Sequence, residues 1–325
     1  MSVWPLSYPH RKDDYITKMI PYNYYPDATC PRFEKFLLET FNGNLALIGY
    51  VNRLAGYCCT GLTIEQKWWM FVGLTASGKS TLVRILHGML GPYAMALPEG
   101  YFLLSNRENK DFITANLPGV RLATCVETND GRKLNVARIK MLTGEDPISA
   151  ELKYQNPFTF RPRCKLILTT NYRPRIPAGD DAIWRRLKVV PFTRTVPEDQ
   201  WIKGLADELI AQEVTGIMNW ALQGCRAWQV GGLQEPHEVT DAVAEYRSDE
   251  DSVSDCLKEC FDRYDNPETK TPRKEVLTIF NKWAQDNHYP PLNGKKLGIE
   301  LSRLGIAGDD GDRFWLGIRP KDAFA

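Results

Sequence analysis

The sequence predicts an α/β fold with a parallel sheet, and three observations lead there. Short apolar runs recur at residues 66–72, 121–126, 165–170 and 187–192. Each has the length of a strand, and none alternates cleanly, which is the pattern of strands covered on both faces. Segments of helical period alternate with them, as in βαβ units. Where the first run meets the first such segment stands Gly73-Leu74-Thr75-Ala76-Ser77-Gly78-Lys79-Ser80-Thr81, a match to G-x-x-x-x-G-K-[ST] between strand and helix.

The elements follow in order. Residues 1–30 read as an arm or linker, punctuated by Pro5, Pro9, Pro21 and Pro26 with aromatic residues between. Residues 32–59 are helical by the spacing of Phe33, Phe36, Leu37 and Leu38, then Leu45, Ile48, Val51 and Leu54, and Gly61 ends the region. After the first strand, residues 81–89 form a helix with Leu82, Ile85, Leu86 and Met89 on one face and Gly91-Pro92 as the stop. Residues 201–230 are helical again, and Gly231-Gly232 opens an acidic boundary. The tail predicts helices at 253–264, 273–287 and 294–304. A tight turn at 308–312 then leads into 313–318, so that a β-hairpin follows three helices, the order of a winged helix-turn-helix. The expected divisions are therefore 1–30, 31–61, 62–232 and 233–325.

Composition narrows the classes. At 325 residues, 43% apolar and 25% charged, the chain has material for about two globular domains rather than a disordered tract. No apolar run approaches the ~18–20 residues of a membrane span. The N-terminus lacks an apolar signal segment, so the expected location is cytoplasmic, the interior of a host cell, with no membrane partner. A net charge of +1 hides an asymmetry. Residues 132–194 carry 14 Lys/Arg against 5 Asp/Glu, and residues 233–270 carry 12 acids against 4 bases. These are either solvated faces or, for the basic segment, an anion-binding surface. The eight cysteines contain no Cys-x-x-Cys pair and are expected as free thiols.

The motif at 73–81 carries the chemistry. Glycines let the backbone curl so that successive N–H groups face phosphate oxygens. The helix that follows offers its positive end to the same anion. Gly73, Thr75, Ala76, Ser77, Gly78, Lys79, Ser80 and Thr81 are the candidate binding residues, for ATP with Mg²⁺. Lys79 would reach the β- and γ-phosphates, and the Ser80 hydroxyl would ligate the metal. An acid is needed on a neighbouring strand. Glu127, closing the run 121–126, would polarise the attacking water or hold the metal through water; otherwise it is an ordinary surface glutamate. Asn171, after the run 165–170, would sense the γ-phosphate or orient water, unless it only caps a turn. Arg185 and Arg186 would neutralise charge on the transferred phosphoryl group, in cis or from a neighbouring subunit, or are a surface pair.

These pieces in this order resemble a family. The motif at 73–81, Glu127-Thr128-Asn129-Asp130-Gly131, Lys140-Met141-Leu142-Thr143-Gly144-Glu145-Asp146-Pro147-Ile148, the strand ending at Asn171, and Trp184-Arg185-Arg186-Leu187 are similar to the superfamily III helicases of the phage, plasmid and poxvirus primase-helicase type, over about residues 30–320. The resemblance implies a P-loop AAA+ ATPase core preceded by a helical region and followed by a winged-helix domain. It implies a homo-oligomeric ring, usually a hexamer, that translocates on single-stranded DNA and opens a DNA fork, typically 3′ to 5′. The ATP site would lie between subunits, with Arg185 or Arg186 acting in trans and Arg186 the favoured of the two. A hairpin at 148–160 would enter the channel with Lys153, Tyr154 and Asn156 near its tip. Many relatives carry Arg where this chain has Glu151, so the hairpin chemistry differs there. Arg161, Arg163 and Lys165 would line the channel or merely solvate it. In the tail, Lys295, Lys296 and Arg303 would lie on a recognition helix and Arg313 and Arg319 on the wing, in a module that binds DNA or docks protein. A primase or polymerase is implied as a separate partner or a fused N-terminal part. Two other classes use the same cradle: an ATPase that loads or assembles another factor without unwinding, and a small-molecule kinase. The Arg pair and the tail disfavour the kinase.

Overall fold

Helices α1 (Pro31–Thr40) and α2 (Leu45–Cys58) lead into the first strand, β1 (Trp68–Gly73), in the computed structural model of the chain. The structure describes residues 11–104, 111–127, 133–176, 179–266, 268–287, 289, 291–309, 311 and 313–323. Next come α3 (Lys79–Leu90), β2 (Ala94–Ala96), α4 (Asp111–Thr114), β3 (Leu122–Glu127), α5 (Val136–Thr143), β4 (Ile148–Ala150), β5 (Phe158–Phe160) and β6 (Lys165–Thr170). The short α6 (Asp181–Trp184) precedes β7 (Leu187–Phe192), the long α7 (Leu205–Gly231) and α8 (His237–Asp249). The chain divides into two units. One is Met1–Pro174 with Arg185–Val243; the other is Arg175–Trp184 with Ala244–Ala325.

The first unit is built on one five-stranded sheet in the order β2-β3-β6-β1-β7, with every neighbouring pair parallel. Trp68, Trp69, Met70 and Phe71 have no exposed surface, and all of β6 is buried, as the unalternating runs predict. One face of the sheet, through Trp69, Phe71, Ile167, Val190 and Phe192, shares a core with α1, α2, α3 and α7. The segment before α1 is tied to this body. Tyr22 donates its hydroxyl to the Met89 carbonyl at 2.5 Å, and Asn219 of α7 donates to the carbonyls of Tyr25, Pro26 and Ala28.

Lys165 departs from the expectation that it lines a channel or solvates one. It is 1% exposed, and its ammonium donates to the carbonyls of Thr60 at 2.5 Å and Leu62 at 3.3 Å. Arg121 donates to the Cys59 carbonyl at 2.6 Å. The two cations hold the carbonyl end of α2, where the helix dipole favours positive charge. Burial pushes the Lys165 ammonium down to about 8.

Helices α2 and α7 touch backbone to backbone. A Cβ on Gly224 would lie 2.0 Å from the Asn52 carbonyl oxygen, and one on Gly56 would lie 2.0 Å from the Cys225 amide nitrogen. Gly224→Val therefore has to push the two helices apart and is expected to cost about 3 kcal/mol or more in urea unfolding, the upper range of overpacking. Gly49→Ala, on the open side of α2, has Arg53 as its nearest neighbour at 3.4 Å and should be neutral or gain up to about 1 kcal/mol. Equal midpoints for Gly224→Val and the unaltered protein would contradict this packing.

The second unit holds α9 (Ser252–Cys260), β8 (Phe261–Arg263), β9 (Lys270–Pro272), α10 (Arg273–Asp286), α11 (Gly294–Arg303), β10 (Phe314–Leu316) and β11 (Ile318–Pro320). Its core gathers Val253, Leu257, Phe280, Trp283, Leu297, Leu301, Trp315 and Ile318. The helix expected to run to Tyr264 stops at Cys260, because Phe261 turns extended and β8 pairs antiparallel with β11. The return expected about 308–312 is there in the described residues on either side of it: Leu316 donates to the Ala307 carbonyl at 2.8 Å and Gly308 bridges Trp315. β10 also pairs with β9, β11 pairs with β8, and Gly317, at φ +71°, turns the chain between the two.

Candidate functional site

The loop 73–79 leaves the C-terminal end of β1, the strand flanked by β6 and β7. All five strands point the same way, so the ends of β3 and β6 lie on that same edge of the sheet, where ligands gather in open α/β sheets. Gly73 lets β7 close against β1, since a Cβ there would sit 2.2 Å from the Phe192 carbonyl oxygen. Gly78 holds φ +90° immediately before α3, a conformation nearly free for glycine and strained for other residues.

Lys79 begins α3 and is 6% exposed. Its ammonium donates to the carbonyls of Gly73 at 2.6 Å and Leu74 at 2.7 Å and to the Ser77 hydroxyl at 3.0 Å. All three acceptors are neutral. Burial pushes this ammonium down to about 8, as it does a cation with no counter-anion, and none stands beside it among the described residues. A cleft of about 220 Å³ opens beside it, lined by Thr75 to Thr81, Val126, Thr169, Thr170 and Asn171. Ser80 is exposed to it. The first N–H groups of α3 have no partner within the helix, so the cleft meets hydrogen-bond donors and the positive end of a helix dipole together.

Asn171 reaches the loop. Its amide nitrogen stands 3.5 Å from the Thr75 hydroxyl, at the outer limit of a hydrogen bond. Glu127 closes β3, with its Cα in register with Thr170. It is not on a strand adjacent to β1, as the sequence led us to expect. β6 lies between, which sets the end of β3 two strand spacings, about 10 Å, from β1. Residues 128–132, part of the motif that follows Glu127, lie outside the described residues.

Arg185 and Arg186 are not brought to this cleft. They precede β7, whose Leu187 is in register with Trp68 while its Phe192 is in register with Gly73. The pair therefore sits at the opposite edge of the sheet, about 17–20 Å from the loop along the strands. That distance removes the option of action in cis. Arg186 donates to the Gln66 side-chain oxygen at 3.1 Å, and its Nε has no hydrogen-bond partner among the described residues. Burial and the neighbouring Arg185 both push its guanidinium down from the ordinary range. Lys67 donates to the Arg185 carbonyl at 2.8 Å.

The residues 148–160 do form a hairpin, with Ile148 in register with Phe160 and Ala150 with Phe158. Lys153, Tyr154 and Asn156 are exposed in its turn, Tyr154 at 91%. The Lys153 ammonium lies 5.0 Å from the Tyr154 ring centre.

Sequence reasoning missed what supports the loop from outside the motif. Thr40 and Phe36 of α1 stand against Gly78, and the Val196 amide donates to the Ala76 carbonyl at 3.0 Å. Trp201, half exposed, donates its indole N–H to the Val196 carbonyl at 2.8 Å. No local pattern marks these residues; chain segments distant in sequence bring them there.

Comparison with known proteins bears on the same residues. A family described as "Family of unknown function (DUF5906)" matches residues 71–186, a span from β1 to Arg186 that includes the loop 73–81, Glu127, the hairpin at 148–160, Asn171 and the Arg pair. A family described as "D5 N terminal like" matches residues 6–42. The "Putative helicase L207/L206" of Acanthamoeba polyphaga mimivirus is 26% identical over 300 residues, 85% of this chain. The "Primase D5" of Fowlpox virus is 33% identical over 148 residues, 43% of this chain. This chain is similar to viral proteins of the primase-helicase type. It spans 31% of the mimivirus protein and 18% of the fowlpox one, less than a third of either. Among solved structures, the apo C-terminal region of NrS-1 aligns with a TM-score of 0.56 at 13% identity, covering 91% of this chain and 77% of that one, a likeness of fold. Among the described residues, no helix is long and apolar enough to cross a membrane.

Proposed function

We propose that this chain is the ATP-hydrolysing, DNA-unwinding part of a viral-type replication protein. The observation that carries this is Lys79, a buried ammonium held, among the described residues, only by neutral acceptors at the mouth of a donor-lined cleft. A triphosphate supplies the anion that such a group lacks.

In this reading the loop N–H groups and the start of α3 bind the β- and γ-phosphates, and Lys79 neutralises them. Asn171 orients the attacking water, and Glu127 withdraws its proton. Ser80 and Glu127 would hold Mg²⁺, which supplies charge neutralisation at the phosphates when bound. Arg186, or Arg185 beside it, completes the site of a neighbouring copy. A ring of copies is therefore the working form, an AAA+ hexamer in the family that the motifs resemble. The sheet order, with the loop-bearing strand between β6 and β7, supports that core. In the second unit the succession α9, β9, α10, α11 and the 307–316 return supports a winged-helix end. A primase would come from a partner or from the rest of a longer chain.

The hairpin turn then grips the strand. Lys153 contacts phosphates and Tyr154 offers a ring to bases, contacts that ignore sequence and suit a motor. The test is ATP hydrolysis and fork unwinding by the full chain, with and without single-stranded DNA. Hydrolysis should rise several-fold with DNA, and the fork should open. Lys153→Ala should leave DNA-free hydrolysis within about twofold while unwinding falls at least about tenfold. Hydrolysis indifferent to DNA, with no unwinding, would replace the motor by a loading or assembly ATPase.

A further inference from the structure

A half-exposed indole stands beside the phosphate loop and has no task in the function proposed above. The connector 193–204 runs from the end of β7 to the start of α7. Its first residues are moored to the end of α1 and the turn after it. The Arg194 guanidinium lies 3.6 Å from the Glu39 carboxylate, and the Asn42 side-chain amide donates to the Thr193 hydroxyl at 3.5 Å. The Val196 amide then donates to the Ala76 carbonyl at 3.0 Å, which fastens the connector to the loop itself. A single 3₁₀ turn follows at Glu198–Gln200. It brings the next side chain back, so that the Trp201 indole N–H closes on the Val196 carbonyl at 2.8 Å. Val196 thus ties the indole on one side and Ala76 on the other.

Trp201 is 50% exposed. Among the described residues its side chain makes that one hydrogen bond, and no aromatic ring or cation packs on the indole face. The N–H is satisfied and the ring is held in place, so a ligand that stacks there does not have to order it. The position of the ring in the sheet order decides what it meets. In the order β3-β6-β1-β7, Asn171 leaves β6 on one side of β1, with Glu127 farther out on that side, and the connector leaves β7 on the other. With the terminal phosphate held between Asn171, Glu127 and Lys79, as proposed above, the rest of the nucleotide runs back across the loop and its nucleoside emerges toward β7. Trp201 does not line the phosphate cleft. A ribose separates a base from its phosphates, so a platform for the base belongs outside that cleft.

We propose that Trp201 stacks on the nucleobase of the bound nucleotide. This rests on the loop binding a nucleoside triphosphate. Every base has a π-face, and stacking on an aromatic side chain uses that face alone. The indole's single donor is already engaged by Val196, so the ring meets the face of a base and does not read its edge. The chemistry recognised is a nucleoside triphosphate in preference to a bare polyphosphate.

The test is calorimetry on the full chain with Mg²⁺ and two ligands, an ATP analogue with an imido β–γ bridge and inorganic tripolyphosphate, which has no base. Trp201→Ala should weaken the analogue at least about fivefold, the lower range for a base on an aromatic ring, and leave tripolyphosphate within about twofold. Retained tripolyphosphate binding also shows that the variant is folded. Trp201→Phe keeps a ring and drops the N–H, and it should hold the analogue within about threefold of wild type. Unchanged affinity for the analogue in Trp201→Ala would overturn the proposal. Equal loss of both ligands would overturn it as well, and would make Trp201 a brace that acts on the loop through Val196. Failure of the nucleotide proposal shows differently, as an unaltered protein that binds neither ligand.

Discussion

Lys79→Ala should abolish ATP turnover, with kcat falling by about 10²–10³-fold or more, while the protein stays folded. The folded state loses a buried cation that burial already disfavours, so the variant should unfold in urea no earlier than wild type by more than about 1–2 kcal/mol. The same ammonium predicts a pH dependence. In the free protein it titrates at about 8. A bound triphosphate favours the charged form and raises that value, so above pH 8 binding must take up a proton. Affinity for a fluorescent ATP analogue should be flat from this group below pH 8. Above it, affinity should decline by up to about tenfold per pH unit until the bound form's own value is reached. Lys79→Arg, whose guanidinium keeps its charge, should bind without that decline. A wild-type profile that stays level to pH 10 would remove Lys79 from the phosphate contact.

Arg186→Ala should be nearly as damaging, about 10³-fold in hydrolysis, the lower range for a finger arginine, yet it should leave nucleotide binding by the isolated subunit intact. Glu127→Gln should be inactive on its own as well. Mixing the two inactive proteins places an intact loop and acid beside an intact arginine at about one interface in four, by random assembly of a closed ring. Roughly that share of wild-type hydrolysis should return. No recovery, with both variants shown to assemble together, would refute the shared site; full activity of Arg186→Ala with loss in Arg185→Ala would move the role to its neighbour.

The sequence made the sheet legible wherever burial was two-sided. β1, β3, β6 and β7 all fall on apolar runs. β2 does not, for Ala94-Met95-Ala96 is too short and too plain to announce a strand, and only its pairing with β3 defines it. Positions governed by distant partners were hidden. Lys165 reads as a surface charge until the carbonyls at the end of α2 are known. Phe261 continues the hydrophobic period of α9, and the strand beginning there is decided by β11. In the site, the loop and Asn171 were readable because strand ends carry them. The place of Glu127 was not, because strand order is a property of the whole sheet.

The register of β1 with β7 has a consequence for how copies of the chain depend on one another. In the ring proposed above, one end of this pair of hydrogen-bonded strands would carry the fuel cradle and the other the guanidinium offered next door, so each copy would be donor and recipient at once, joined by a stiff rod rather than a flexible tether. On that proposal a lone copy would own two half-machines and no complete one, and a strain arising at one cradle would have a direct mechanical route to the following junction.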